Sequence, residues 1–146
     1  NNLQPSIPGA SSPLIDYTDD GSEFAIAFTD LNQGNKLSVR LRAGNSWVPY
    51  APTGAPSVIS DGIAQNPQLI LSGSRAPIVS FIDQANGSGV TVMRWVGQTL
   101  NWEVLGSKGF TGSSAFASMA LHNGDIFVAY NDAATGKVTV KIWVEE

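Results

Sequence analysis

The sequence predicts an all-β chain, and three observations carry that prediction. Apolar and polar residues alternate at period two in short runs along the whole length, and no apolar i, i+3, i+4, i+7 stripe persists for three helical turns. The runs also recur at an internal period of about 50 residues, which is tested before any other feature because it governs the architecture.

The candidate strands, in order, are 24–29, 37–41 and 47–50, then 68–71, 78–82, 90–95 and 102–105, then 118–121, 126–130 and 138–143. Each is rich in β-branched and aromatic residues and is bounded by Gly, Asn, Asp, Pro or Ser. Weaker candidates lie at 3–7 and 14–17. One strand of each group ends in an aspartate: Phe24-Ala25-Ile26-Ala27-Phe28-Thr29-Asp30, Ile78-Val79-Ser80-Phe81-Ile82-Asp83 and Phe127-Val128-Ala129-Tyr130-Asn131-Asp132. The aspartates stand 53 and 49 residues apart, and each is followed by an alternating strand, Leu37/Val39/Leu41, Val90/Val92/Arg94 and Val138/Val140/Ile142. A tryptophan strand closes the first two units at Trp47 and Trp102. A shorter strand and a turn open each unit, at Asp19-Asp20-Gly21, Ser72-Gly73-Ser74 and His122-Asn123-Gly124-Asp125.

A four-stranded antiparallel unit of this length, unable to bury both faces alone, is the sequence description of a propeller blade. The expected blades are 11–52, 64–106 and 115–146. The third stops where its tryptophan strand should begin, so the N-terminal strand 2–7 is expected to supply that strand. Three blades fall short of the four to eight of a ring. The expectation is therefore a six-bladed ring completed as a homodimer, or by the remaining blades of a larger propeller. The alternative is a β-sandwich, which shares the short strands and frequent turns but has no need of the long period.

Composition narrows the chemistry. The 146 residues carry 42% hydrophobic and 14% charged side chains with a net charge of −4, apolar enough to fold as one domain. No basic run offers a footprint for nucleic acid or an anionic membrane, and neither is expected as a partner. The absence of cysteine excludes disulfides, thiolate metal sites and thiol nucleophiles, and a single His122 excludes a histidine-rich metal centre. No cofactor or metal is expected. No apolar stretch approaches the ~18 residues of a membrane span. Low charge with abundant Ser, Thr, Asn and Gly fits a secreted or extracellular protein, either with its leader removed or cut from something larger. Asn86-Gly87-Ser88 matches the glycosylation acceptor pattern, and reads as a plain turn.

The aspartate-ending strands, the Val-Thr-Val segments at 90–92 and 138–140 and the Trp strands at 47 and 102 give the chain its resemblance to the secreted β-propeller family, propeller lectins included. That resemblance implies glycan binding in grooves between blades, where an aromatic face packs on a sugar ring and polar groups bond its hydroxyls. The candidate ligand-binding residues are Trp47 and Trp102, which are equivalent to one another, Trp95 and Trp143, which are likewise equivalent, and Arg40 and Arg42. The same tryptophans would also suit blade-to-blade packing. Fucose-binding propeller lectins place Arg, Glu and Trp on successive strands of a blade. Arg40 or Arg42 and Trp47 match in the first unit but no intermediate glutamate does, so fucose specificity does not carry over.

No catalytic set emerges. His122 starts a Gly-containing turn with no G-x-S-x-G elbow in the chain, and Gly106, Gly109 and Gly112 lack the lysine of a phosphate loop. The acids Asp16, Asp19, Asp20 and Glu23 miss the calcium-loop spacing and read as a hairpin tip. Asp30, Asp83 and Asp132 read as caps of the turns that follow them. The expected function is a non-enzymatic, lectin-like propeller with repeated shallow glycan sites, ahead of a structural or protein-binding propeller segment. A glycoside-processing enzyme comes third, because no motif places an acid pair.

Overall fold

A computed structural model of the chain describes residues 7–18, 21–73 and 76–144. Among them, eleven strands form three antiparallel sheets. The first sheet is β1 (Ala10–Tyr17), β2 (Phe24–Asp30), β3 (Lys36–Ala43) and β4 (Ser46–Pro49), in that order across the sheet. The second is β5 (Ala64–Leu71), β6 (Pro77–Asp83), β7 (Gly89–Val96) and β8 (Asn101–Val104). The third is β9 (Ala117–His122), β10 (Asp125–Asp132) and β11 (Lys137–Trp143). No sheet closes on itself, and each contains one copy of the sequence repeat. The expected strand at 2–7 falls almost wholly outside the described residues.

Matched positions fold alike. Asp30 pairs with Lys36, Asp83 with Gly89 and Asp132 with Lys137, so the three aspartates occupy one place in the ladder. Asp30 accepts a bond from the Asn32 amide at 3.0 Å and Asp132 from the Ala134 amide at 2.9 Å, the expected turn caps. Asp83 departs from them. It is buried, and one of its carboxylate oxygens accepts from Asn86 Nδ2 and Thr91 Oγ1, both at 2.9 Å, so it braces the following hairpin through side chains instead.

The first strands of the first and second sheets are longer than the alternation suggested. Both contain a register shift, between Ser11 and Leu14 in β1 and between Gln65 and Gln68 in β5. Ser12 and Asn66 stand at the shifts with φ of 50° and 47°, each followed by a proline. Proline has no N–H for the ladder, so the strand bulges at the X-Pro pair and resumes beyond it. A pattern of alternation reads such a strand only from the proline onward.

The second sheet lies between the other two. On one side Val79, Phe81 and Met93 pack with Ala27, Leu37 and Val39 of the first sheet. On the other, Ile78, Ile82, Val90 and Val92 pack with Ile126, Val128 and Tyr130 of the third. All seven residues of β6 are accordingly buried, which its nearly continuous apolar sequence permits. β1 lies against β5 and β5 against β9, so the first strands of the three sheets run side by side. Close backbone approach ties the turn before β7 to the loop after β8: Gly109, at φ +63°, sits where a Cβ would lie 2.1 Å from the Asn86 carbonyl oxygen. Only glycine fits that position.

Candidate functional site

A cleft of about 740 Å³ opens between the second and third sheets. Its walls include Arg94 and Trp95 of β7, Glu103 of β8, Gln98 from the turn between them, and Leu121 and Ile126 of the third sheet. The volume lies in the range of small-ligand pockets, and the lining mixes an apolar wall with a few polar groups. Arg94 and Glu103 face each other directly across the β7–β8 ladder, and Arg94 Nε donates to Glu103 Oε2 at 3.1 Å. Both side chains remain in contact with water, with 32% and 53% of their surfaces exposed, so the pair is open to exchange its partner for a ligand.

The sequence resemblance, whose Arg and Trp matches lie in the first unit, does not reach this pair in the second. Leu41 and Val48 hold the corresponding ladder position in the first sheet, and Met93 with Val104 or Arg40 with Pro49 precede it by one residue. The second unit alone among the two four-stranded sheets replaces an apolar cross-strand pair by Arg and Glu. Comparison of the copies position by position was the available signal.

The six residues singled out from the sequence separate into three places. Trp95 and Trp102 stack with Tyr50 at the junction of the first and second sheets, ring centres 5.4–6.5 Å apart and steeply inclined, and Trp102 Nε1 donates to the Tyr50 carbonyl at 2.8 Å. Trp143 meets Phe110 edge-on at 5.0 Å at the junction of the second and third sheets, where Lys141 lies 4.7 Å over the Phe110 ring. Trp47, Arg40 and Arg42 belong to the outer face of the first sheet. There the Arg40 and Arg42 guanidinium groups lie 5.5 and 5.8 Å over Phe28 and Phe24, and Trp47 lines two small hollows of about 280 and 370 Å³, the first shared with Arg40. Of the six, Arg40, Arg42 and Trp47 are thus brought together, and Trp95 alone also borders the large cleft.

The remaining ionisable groups are held by ordinary partners. His122 sits in the β9–β10 hairpin with Asn123 3.1 Å from Nε2, and Asn123 and Gly124 take the positive φ angles of a tight turn. Asp16 accepts from the Leu71 amide at 2.8 Å, linking the first two sheets, while Asp19 and Asp20 lie outside the described residues. Lys108 donates to Asp61 at 2.6 Å, and this hydrogen bond, with the lysine's charge, holds the Asp61 carboxyl below its ordinary range. Burial pushes the Tyr50 phenol up to about 12, assisted by the charge of Glu23. Among the described residues no three acids or histidines gather as a metal site, and no helix is long and apolar enough to cross a membrane.

No family model and no curated protein matches the chain. Solved structures do. An exo-β-1,3-galactanase from Clostridium thermocellum superposes with a TM-score of 0.53 at 12% identity, covering 90% of this chain and 32% of the enzyme. An endo-1,4-β-xylanase from Bacteroides thetaiotaomicron gives 0.49 at 11% identity, covering 92% of this chain and 49% of that one. This chain therefore spans about half the length of one and about a third of the other. The likeness is one of fold. It also corrects the functional expectation: the solved structure that superposes at 0.53 is by name an enzyme, an exo-β-1,3-galactanase, so the non-catalytic lectin-like reading and the expectation of no enzyme are set aside. They had rested on the absence of a spaced acid motif, and a β-sheet scaffold assembles acids from distant strands that no local motif connects.

Proposed function

We propose that this chain is a three-bladed portion of a secreted, glycoside-processing β-propeller, and that the cleft between its second and third sheets receives the sugar. The observation that carries the reading is the Arg94–Glu103 pair set opposite Leu121 and Ile126 in a cleft large enough for a saccharide. A guanidinium donates to ring and hydroxyl oxygens, a carboxylate accepts from hydroxyls, and an apolar wall takes the face of the sugar ring. The side-by-side first strands and the one-repeat sheets support blades at 11–52, 64–106 and 115–146 around a common axis. The outer face of the third sheet, where Val138, Val140 and Ile142 are exposed, suits a further blade, supplied by a second copy of the chain or by the rest of a larger propeller.

Glu103 is the carboxylate among the described lining residues of the cleft. Glycoside hydrolysis uses two carboxyl groups, one giving a proton to the leaving oxygen and the other attacking the sugar or activating water. In this reading Glu103 is one of these two groups, and its pairing with Arg94 favours the ionised carboxylate that the second role needs. Reducing-end release from xylan, β-1,3-galactan and related oligosaccharides tests the proposal. Glu103→Gln is expected to lower turnover by roughly 10²–10⁴-fold while the fold persists. Binding without cleavage by the unaltered chain would overturn the enzymatic role, and no binding to any saccharide would remove the cleft as a sugar site.

A further inference from the structure

We propose that Asn123 is a self-modifying residue: the Gly124 backbone nitrogen displaces its side-chain amide, His122 supplies the proton to the departing ammonia, and the carboxylate that results stands at the rim of the cleft. The inference is independent of the saccharide reading.

The dipeptide Asn-Gly occurs twice, at Asn86-Gly87 and Asn123-Gly124. A glycine nitrogen reaches the side-chain carbonyl before it with little obstruction, because glycine has no Cβ. The two copies sit in opposite surroundings. Asn86 ends the short turn Gln84–Asn86, where its Nδ2 donates to the Asp83 carboxylate at 2.9 Å and its side chain also hydrogen-bonds Asp61. Its backbone carbonyl lies against Gly109, and the Ser88 amide donates to the Asp83 carbonyl at 3.0 Å. Turning the Asn86 side chain toward Gly87 would strip a donor from the buried Asp83, whose other carboxylate oxygen already has no partner. A buried carboxylate left without donors is costly, so Asn86 is held in place.

Asn123 is placed otherwise. Asp125 pairs with His122 across the β9–β10 ladder, so Asn123 and Gly124 are the two residues of the turn, with φ of 52° and 91°. Both are exposed, as is His122. The side-chain amide of Asn123 meets the imidazole, Nδ2 lying 3.1 Å from Nε2. Histidine exchanges protons near neutral pH, and this one stands at the atom that must leave.

The step balances with one water. The Gly124 nitrogen bonds to Asn123 Cγ and its proton passes to solvent. The Cγ–Nδ2 bond breaks as the His122 imidazolium gives its Nε2 proton to the departing nitrogen, which leaves as ammonia, and solvent reprotonates the ring. Water then opens the five-membered imide at either carbonyl, leaving at position 123 an aspartate or its β-linked isomer. Nothing is oxidised or reduced. Gly124 lines the cleft, and the hairpin sets the pairing of Leu121 with Ile126 on its apolar wall. Conversion therefore brings a negative charge to that wall, and the β-linked isomer also adds a backbone methylene to a two-residue turn.

The test is incubation of the full chain near neutral pH in heavy-oxygen water, followed by peptide mass mapping with fragmentation that separates aspartate from its β-linked isomer. Position 123 should convert and gain one heavy oxygen, while Asn86 persists. Unfolding in urea should raise the rate at Asn86 toward that at Asn123. His122→Gln should slow conversion at 123 by roughly tenfold, less than the 10²–10⁴-fold typical of an enzymatic proton donor because the site is open to water. His122→Arg keeps a cation but has no proton to give near neutral pH, and should be as slow. Circular dichroism verifies the fold of both variants. No conversion at 123, conversion of Asn86 at an equal rate in the folded chain, or an unchanged rate in either His122 variant would overturn the proposal. The readout is mass, so saccharide turnover has no bearing on it.

Discussion

The second and third sheets carry the same repeat in the same register, yet one is buried on both faces and the other on one. In β6 every residue is buried, whereas β10 alternates buried and half-buried positions and β11 is largely exposed. Sequence similarity between the units explains the shared ladder. The difference in burial comes from what lies alongside: the second sheet has a neighbour on each side, the third on one. Equivalent residues therefore differ in energetic weight by position in the stack, and substitution can measure that weight directly.

The largest effect is expected at Phe81, whose ring is 1% exposed in the core between the first and second sheets. Phe81→Ala should destabilise the chain by about 3–5 kcal/mol, read from urea unfolding. A loss under about 1 kcal/mol would mean that the junction is not closely packed. A matched pair sharpens the comparison. Val92 and Val140 hold equivalent places in β7 and β11 but are 0% and 55% exposed. Val92→Ala should cost about 2 kcal/mol from lost methyl burial and a residual void. Val140→Ala should stay within about 0.5 kcal/mol in dilute solution, where a single copy unfolds. A cost at Val140 that grows with protein concentration would report the covering of that face by another copy.

These contrasts mark what was legible in the amino-acid order. Alternation and the turn residues located nearly every strand, and the recurring aspartates fall at one ladder position in each of the three sheets, because strand period and turn chemistry are local. β1 and β5 were cut short because the bulges at Ser12-Pro13 and Asn66-Pro67 interrupt the alternation that defines a strand. The roles of the tryptophans were not legible. Period two says which side of a strand Trp95 or Trp102 occupies, but not that Tyr50, 45 and 52 residues earlier, lies across from both. Glu103 was hidden for a similar reason: its partner Arg94 is nine residues away on the neighbouring strand, and only the ladder makes them a pair.

The first internal junction is expected to respond to base, because it holds the phenol of Tyr50 among its aromatic rings. Burial raises the Tyr50 phenol from 10.0 to about 12. A group whose value is raised on folding contributes stability that is fully present below its unfolded value and is lost as pH rises through the folded one. The unaltered chain should therefore lose melting temperature between about pH 10 and 12. Tyr50→Phe keeps the ring stack and should flatten that limb; an unchanged alkaline limb would place the sensitivity elsewhere.

The smallest effect concerns the loops that flank the second sheet. Lys108, after β8, donates to Asp61, before β5, and this hydrogen bond is the main reason that the carboxyl sits below its ordinary 3.8. A carboxyl lowered on folding contributes stability present above its unfolded value and lost as pH falls through the folded one. Both side chains are well exposed, at 38% and 52%, so screening keeps the contribution under about 1 kcal/mol. Asp61→Asn should lower the melting temperature slightly at pH 6 and low salt. The difference from the unaltered chain should shrink below about pH 4, as both forms become neutral at this position, and also at high salt, where the ionic part is screened. A difference that persisted undiminished at low pH and high salt would assign the loop contact to packing instead of charge.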